Sequence, residues 1–197
     1  MARVVGRFAP TPSGYLHLGN LFCSLLAWLA AKSQGGKIIL RNEDLDTERS
    51  RPEYALQAQR DLETLGLFWD EGGDRAGPHG PYEQSRRFPF YQTQLEKLEA
   101  MGLVYPCFCS RAQLHAASAP HAGTGEPVYP GTCRNLSPEE VARRSQTRSP
   151  ALRLQVPAET LSFVDGHYGL QSQFLPEACG DFILRRSDGV FAYQLAV

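Results

Sequence analysis

Apolar and polar positions change period twice before Arg41. Val4 to Phe8 is short, β-branched and apolar, the pattern of a buried strand. Ala9-Pro-Thr-Pro-Ser-Gly14 breaks that strand, because two prolines and a glycine cannot continue it. Leu18, Leu21, Phe22, Leu25, Leu26 and Leu29 then recur at helical spacing. They predict a buried helix that begins near Leu16 to Leu18 and ends at Gly35-Gly36. Lys37-Ile-Ile-Leu-Arg41 predicts a second buried strand, parallel to the first because a helix joins the two. This βαβ unit favours a doubly wound α/β sheet, whose ligand crevice lies at the carboxyl ends of the strands. Both the turn from Arg7 to Gly14 and the run Asn42-Glu43-Asp44-Leu45-Asp46 fall there.

Further along, Ser50-Arg-Pro-Glu53 has the form of a capping box with proline in the first turn. It opens a helix with Ala55, Ala58, Leu62 and Leu65 on one face, closed by Gly66. Residues 70 to 87 are rich in Gly, Asp, Pro and Arg and read as a crossover loop. Phe88 to Met101 is amphipathic, with Phe88, Tyr91, Leu95, Leu98 and Met101 facing inward and Gly102 as its stop. A second capping box, Ser137-Pro-Glu-Glu140, starts a short helix that ends among Arg143, Arg144 and Arg148, a cluster that reads as a solvated helix end. Leu152, Leu154 and Val156 alternate with Arg153 and Gln155, as in a half-exposed strand. Leu161 to Val164 with the Asp165-Gly166 turn predicts an antiparallel ribbon. From Gly180 to Val197 the pattern gives two strands around Ser187-Asp188-Gly189.

The first turn carries candidate chemistry. A strand, a tight turn and a helix N-terminus together form an anion site, because unpaired backbone N–H groups and the positive dipole end point above the turn. His17 and Asn20, one helical turn apart, add donors, although a plain capping histidine would give the same spacing. Glu43 follows directly on a buried strand and faces the crevice, where a carboxylate can hold an ammonium group; Asp44 and Asp46 also fit a solvated loop. Cys107-Phe-Cys109 can bite one tetrahedral ion, and Cys133 supplies a third thiol. On spacing the fourth ligand stays open among Tyr129, His115 and His121, and chemistry favours a histidine. Cys23 and Cys179 have no partners in sequence and are expected to pack.

Composition narrows the class. The chain has 197 residues, 42% hydrophobic and 21% charged, with a net charge of −1. That charge supplies no global field for nucleic acid or membrane, so any RNA contact must be local. Leu21 to Ala31 is too short to span a bilayer, and the start is no signal peptide. Five cysteines are an odd, sparse set that argues against a disulfide framework and for the reducing cytoplasm.

Phe8-Ala-Pro-Thr-Pro-Ser-Gly-Tyr-Leu-His-Leu-Gly-Asn20 closely resembles the "HIGH" region of the glutamyl branch of class I aminoacyl-tRNA synthetases. Arg41-Asn-Glu-Asp-Leu-Asp-Thr-Glu-Arg-Ser50 resembles that family's Arg-Ile-Glu-Asp-Thr-Asp-x-x-Arg-Ser run. The glutamyl-Q branch carries Cys-x-Cys…Tyr-x-x-x-Cys, which lands on Cys107, Cys109, Tyr129 and Cys133. Phe191-Ala-Tyr-Gln-Leu-Ala-Val197 is typical of the same branch.

The resemblance implies a Rossmann-like parallel sheet with a zinc-stapled insert and a small antiparallel ribbon. It implies ATP-dependent activation of glutamate, without tRNA, and transfer to the queuosine base of tRNA(Asp). His17 and Asn20 would be catalytic. Arg7, Phe8, Ala9, Pro10, Thr11, Glu43 and Tyr193 would bind glutamate, and Pro12, His17, Gly19 and Asn20 would bind ATP, used with Mg2+. One structural Zn2+ would sit on Cys107, Cys109, Tyr129 and Cys133. Asn20 departs from the second histidine of the HIGH pattern, and an amide donates a hydrogen bond without carrying charge.

We expect a monomer with no membrane partner. Residues 1–104 would hold the first half of the catalytic domain, 105–180 the insert and 181–197 the return strands. The family's second nucleotide-binding loop is not found, and Leu195-Ala-Val197 reads as a strand cut in mid-run, so a chain covering about two thirds of the enzyme is expected. A fragment of an ordinary glutamyl-tRNA synthetase and a non-catalytic zinc-stapled RNA-binding module are the alternatives.

Overall fold

The βαβ pattern is realised in a computed structural model that describes residues 4–110 and 128–197. Strand β1 (Val5–Phe8), helix α1 (Leu18–Lys32) and strand β2 (Lys37–Leu40) form the predicted unit. The strands are parallel, with Val5 opposite Lys37 and Phe8 opposite Leu40. A third parallel strand, β3 (Glu71–Gly72), adds to β2 after helix α2 (Pro52–Thr64). The sequence places a loop there, because a two-residue strand has no period to detect.

Phe8, Ile38 and Leu40 on one face of this sheet form a core with Ala31, Leu62, Leu67 and Trp69. Alternation along β1 brings Gly6 onto the same face, and it lets α1 approach closely. A Cβ at Gly6 would lie 2.7 Å from Ile38 Cδ1 and 3.1 Å from Ala31 Cβ. The helix thus meets the sheet closely at Ala31, with Leu21 and Trp28 packed at the side, and this overturns one expectation. Leu18 is 82% exposed, and Phe22, Leu25, Leu26 and Leu29 are exposed with it. The helical stripe is real, but apart from half-buried Leu21, which packs on the core, its large residues face outward. The cap of α2 also differs. Arg51, not Ser50, is the N-cap and makes no side-chain cap bond.

The chain divides into two compact units, Met1–Phe90 and Tyr91–Val197, the division falling within α3 (Phe88–Ala100). On α3, Tyr91 and Leu95 are buried as predicted, while Met101 lies past its end and is exposed. The second unit holds an antiparallel sheet of β4 (Val104–Cys107), β5 (Ala151–Leu154) and β8 (Ile183–Arg185), with β5 in the middle. Helix α4 (Pro138–Ser145) is capped by Ser137, whose side chain accepts from Glu140 N. The expected ribbon is β6 (Thr160–Asp165) paired with β7 (Gly169–Phe174), and α5 (Leu175–Ala178) follows it.

Three further expectations in this unit are corrected. On β5 it is Arg153 that is buried, while Leu152 and Leu154 are only half-buried. Arg153 lies opposite Tyr105, and Cys107 follows two residues along the same face of β4. The buried face of this sheet is therefore polar, and a rule that sends leucine inward turns the strand over. The last predicted strand is a single bridge from Arg185 to Phe191 followed by a short helix, α6 (Tyr193–Ala196), so Leu195-Ala-Val197 is no cut strand. Cys179 is exposed rather than packed, and so is Cys23 in the first unit.

Candidate active site and metal centre

In the first unit the turn after β1 and the segment after β2 are joined as the parallel βαβ geometry requires. Arg41 N donates to Phe8 O at 2.8 Å, Glu43 N to Pro10 O at 2.9 Å and Arg51 N to Pro12 O at 2.8 Å. Phe8 and Pro12 are buried, and both of their carbonyls are taken up by this seam. Arg7, Ala9 and Thr11 are exposed, and Arg7 lines a cavity of about 400 Å³ with Arg41, His79, Tyr82 and Arg87.

His17 is the N-cap of α1. Its Nδ1 accepts from Gly19 N at 3.1 Å, and Asn20 Oδ1 accepts from His17 N at 3.1 Å, a reciprocal capping box. The capping reading of His17 is thus the observed geometry, and it has a chemical consequence. An acceptor at Nδ1 fixes the neutral imidazole's proton on Nε2, and an acceptor at Oδ1 leaves the Asn20 amide nitrogen as a donor. The cap orients two donors at the helix N-terminus, where the backbone dipole already favours an anion. Gly19 leaves the imidazole room, because a Cβ there would lie 3.0 Å from His17 Cε1.

Glu43 is 6% exposed, and its Oε1 accepts from Arg41 Nη2 at 2.8 Å. Asp44 is no solvated loop residue, since its carboxylate accepts from Ser85 N at 2.9 Å and Ser85 Oγ at 2.5 Å. A further carboxylate escapes sequence reasoning altogether. Buried Glu71 on β3 accepts from His79 Nδ1 at 2.6 Å, Tyr82 Oη at 3.1 Å and Lys37 Nζ at 3.2 Å. The bond from His79, followed by those from Lys37 and Tyr82, holds its pKa below the ordinary glutamate range against the cost of burial.

In the second unit the Sγ atoms of Cys107, Cys109 and Cys133 lie within 4.8 Å of one another. Cys109 Sγ is 3.6 Å from Cys133 Sγ, and Tyr129 Oη is 3.4 Å from Cys107 Sγ and 3.6 Å from Cys109 Sγ. A tetrahedral zinc with ordinary bond lengths sets two sulfurs about 3.8 Å apart and a sulfur and an oxygen about 3.5 Å apart. The four donors therefore fit one ion. His115 and His121, the rival fourth ligands, lie outside the described residues. Burial, with Cys133 and Cys107 close by, pushes the Cys109 thiol up to about 11. At Cys107 burial is outweighed by hydrogen bonding from Tyr129, the Cys109 amide and Arg153, and the thiol lies below its usual value. Burial and the surrounding thiols push the Tyr129 phenol up.

A buried network that the sequence does not announce fixes this cluster. Asp181, 1% exposed, accepts from Tyr105 Oη at 2.5 Å, Arg134 Nε at 2.8 Å, Arg134 Nη2 at 2.7 Å and Val156 N at 2.9 Å. Arg134 adjoins Cys133, so the bidentate pair holds the third thiol's loop. Tyr129 Oη accepts from Cys133 N at 2.9 Å. Tyr193, the remaining expected glutamate contact, opens α6 and is 56% exposed, which excludes a core tyrosine.

Comparison with known proteins places these features in one family. Residues 3–197 match the family of class I tRNA synthetases (E and Q), catalytic domain. The glutamyl-Q tRNA(Asp) synthetase of Symbiobacterium thermophilum is 58% identical over 98% of this chain and 60% of its own length. Glutamate–tRNA ligase 1 of Halorhodospira halophila is 46% identical over 95% of this chain and 40% of its own. The crystal structure of the glutamate tRNA ligase from Elizabethkingia meningosepticum, in complex with its amino acid, superposes with a TM-score of 0.78 at 30% identity, covering 98% of this chain and 40% of that one. The chain spans about 60% of the length of the glutamyl-Q relative. It belongs to the class I tRNA synthetase family of the glutamate and glutamine type, within that family's catalytic domain.

Proposed function

We propose that this chain is the adenylate-forming part of a glutamyl-Q tRNA(Asp) synthetase. The observation that carries the reading is the His17–Asn20 capping box, which aims two side-chain donors from the N-terminus of α1 beside the loop holding Glu43. Identity to the glutamyl-Q relative of 58%, against 46% for the glutamate–tRNA ligase, supports the finer assignment.

The reaction has two steps. The glutamate α-carboxylate attacks the α-phosphate of ATP in line, forming the mixed anhydride and releasing pyrophosphate. The glutamyl carbonyl then passes to a hydroxyl of queuosine in tRNA(Asp), releasing AMP. In the first step the protein aligns two anions and offsets phosphate charge, and almost no covalent work falls to its side chains. His17, Asn20 and Gly19 would face ATP, with Pro12 beside them. Arg7 would offset the substrate carboxylate charge and Thr11 offer a hydroxyl, Phe8, Ala9 and Pro10 would line the glutamate site, and Glu43 would hold the ammonium group. By the family resemblance Tyr193 would be a further glutamate contact.

The thiol–phenol cluster would hold one structural zinc on Cys107, Cys109, Tyr129 and Cys133, the staple of the insert. Glutamate-dependent ATP–pyrophosphate exchange without tRNA tests the assignment, on this chain and on a version extended to the full length of its relatives. Exchange by the extended protein alone supports tRNA-independent activation. Exchange that starts only when tRNA is added assigns an ordinary glutamate–tRNA ligase instead.

A further inference from the structure

Among the described residues Arg153 is the one buried arginine, and neither the fold nor the proposed chemistry explains its position. It is 5% exposed in the middle strand of the second sheet. Its Nη1 donates to Asp181 O at 2.6 Å, and its Nε is buried with no hydrogen-bond partner. Among the described residues it makes no ion pair, because the Asp181 carboxylate is taken up by Arg134, Tyr105 and Val156 N. A buried cation without a counter-charge is costly, so something beside it must carry negative charge in the working protein. The guanidinium carbon stands 3.8 Å above the centre of the Tyr129 ring, and the same group reaches Cys107.

We propose that Arg153 is the built-in counter-charge of the metal centre and sets how tightly a divalent cation of zinc's class is held there. The inference rests on the zinc reading above. Three thiolates around a divalent ion carry a surplus negative charge whatever the state of Tyr129, and that surplus sits in a buried, low-dielectric setting. Arg153 faces it across the Tyr129 ring, a geometry that joins cation–π attraction to direct charge compensation. Arg153 also spans the two halves of the site. It stacks on one ligand and bonds the main chain of Asp181, whose carboxylate holds the loop of another. Arg153 is thus a positioning residue that touches ligands and not the ion.

The test is competition for Zn2+ between the full 197-residue chain and a chromogenic chelator at fixed pH, with Co2+ absorption as a readout of ligand geometry. Arg153→Met should weaken Zn2+ by about tenfold or more, the scale on which groups behind a metal's ligands act. Arg153→Lys, which keeps the charge without the planar stack, should recover most of that affinity, and the Co2+ spectrum should keep its tetrahedral intensity in both. Equal Zn2+ affinity in Arg153→Met and the unmodified chain overturns the inference. So does a loss in Arg153→Lys as large as in the neutral variant, which would assign the residue to packing alone. Should Arg153→Met not fold, Arg153→Gln takes its place under the same criterion. Failure of the unmodified chain to bind Zn2+ or Co2+ is a different result, since it removes the zinc reading itself.

Discussion

The two candidate sites are built in opposite ways. The turn and helix N-terminus of the first unit form a shelf made mostly of main chain, with His17, Asn20, Arg7 and Thr11 exposed on it. The thiol–phenol cluster of the second unit is made of side chains, mostly buried, and each is held by another: Cys133 N on Tyr129, Arg134 on Asp181, Arg153 on Tyr129. A shelf suits ligands that come and go, because its donors keep contact with water between visits. A closed cluster suits a permanent guest. The contrast teaches that exposure of a candidate residue is no argument against function when the backbone beneath it is fixed.

The comparison can be broken most directly at the closed site. Cys133→Ser should abolish metal retention and cost on the order of 4 kcal/mol, as for loss of a structural metal ligand. Calorimetry checks this, and an unchanged melting profile with metal still bound would mean that the cluster is not a staple. Asp181→Ala comes next, at about 3 kcal/mol, because it leaves the Arg134 guanidinium, the Tyr105 hydroxyl and Val156 N without their acceptor. Denaturant unfolding measures it, and a loss under about 1 kcal/mol would show that water replaces the carboxylate freely.

The shelf is sharpened by a pair of substitutions. His17→Ala should slow adenylation by about 2–3 kcal/mol in a protein extended to full length, the scale of one lost transition-state donor. His17→Asn keeps an N-cap acceptor and loses the imidazole donor, so single-turnover rates should fall while the melting temperature holds. If both variants lose stability and neither loses rate, His17 is a cap and nothing more. A smaller effect is expected on the outer face of α1, where Leu26→Ser should change the stability of this chain by no more than about 0.5 kcal/mol and should raise its solubility.

The subtlest test is pH. Glu71 has its pKa lowered in the folded state, so the stability it confers is present above the unfolded carboxylate pKa and is lost as pH falls through the lower folded one. Melting temperature followed from neutral pH into the acid range should therefore drop more steeply in the unmodified chain than in Glu71→Gln.

Much of this was legible in the sequence wherever a pattern and a backbone rule agree. The parallel β1–α1–β2 unit, the joined loops at the strand ends, the ribbon and the thiol cluster all follow from spacing. What escaped did so for physical reasons. β3 is too short to show a period, and its Glu71 is buried because three donors from Lys37, His79 and Tyr82 converge on it. β5 reads upside down because its buried side holds Arg153, and polarity alone cannot tell an arginine in water from one that stacks on a buried phenol. The outward leucines of α1 illustrate the reverse error. Helical spacing tells which residues share a stripe, but only the neighbours present in space decide whether that stripe is covered. No helix among the described residues is long and apolar enough to cross a membrane.

The seam between the two crevice loops has an evolutionary consequence. Glu43 and Arg51 meet the turn through their amide nitrogens, and Pro10 and Pro12 answer with carbonyls. Neither bond uses a side chain, so no substitution except proline at 43 or 51 deletes a donor. Side chains along this seam can thus change while the spacing between the two loops is inherited unchanged.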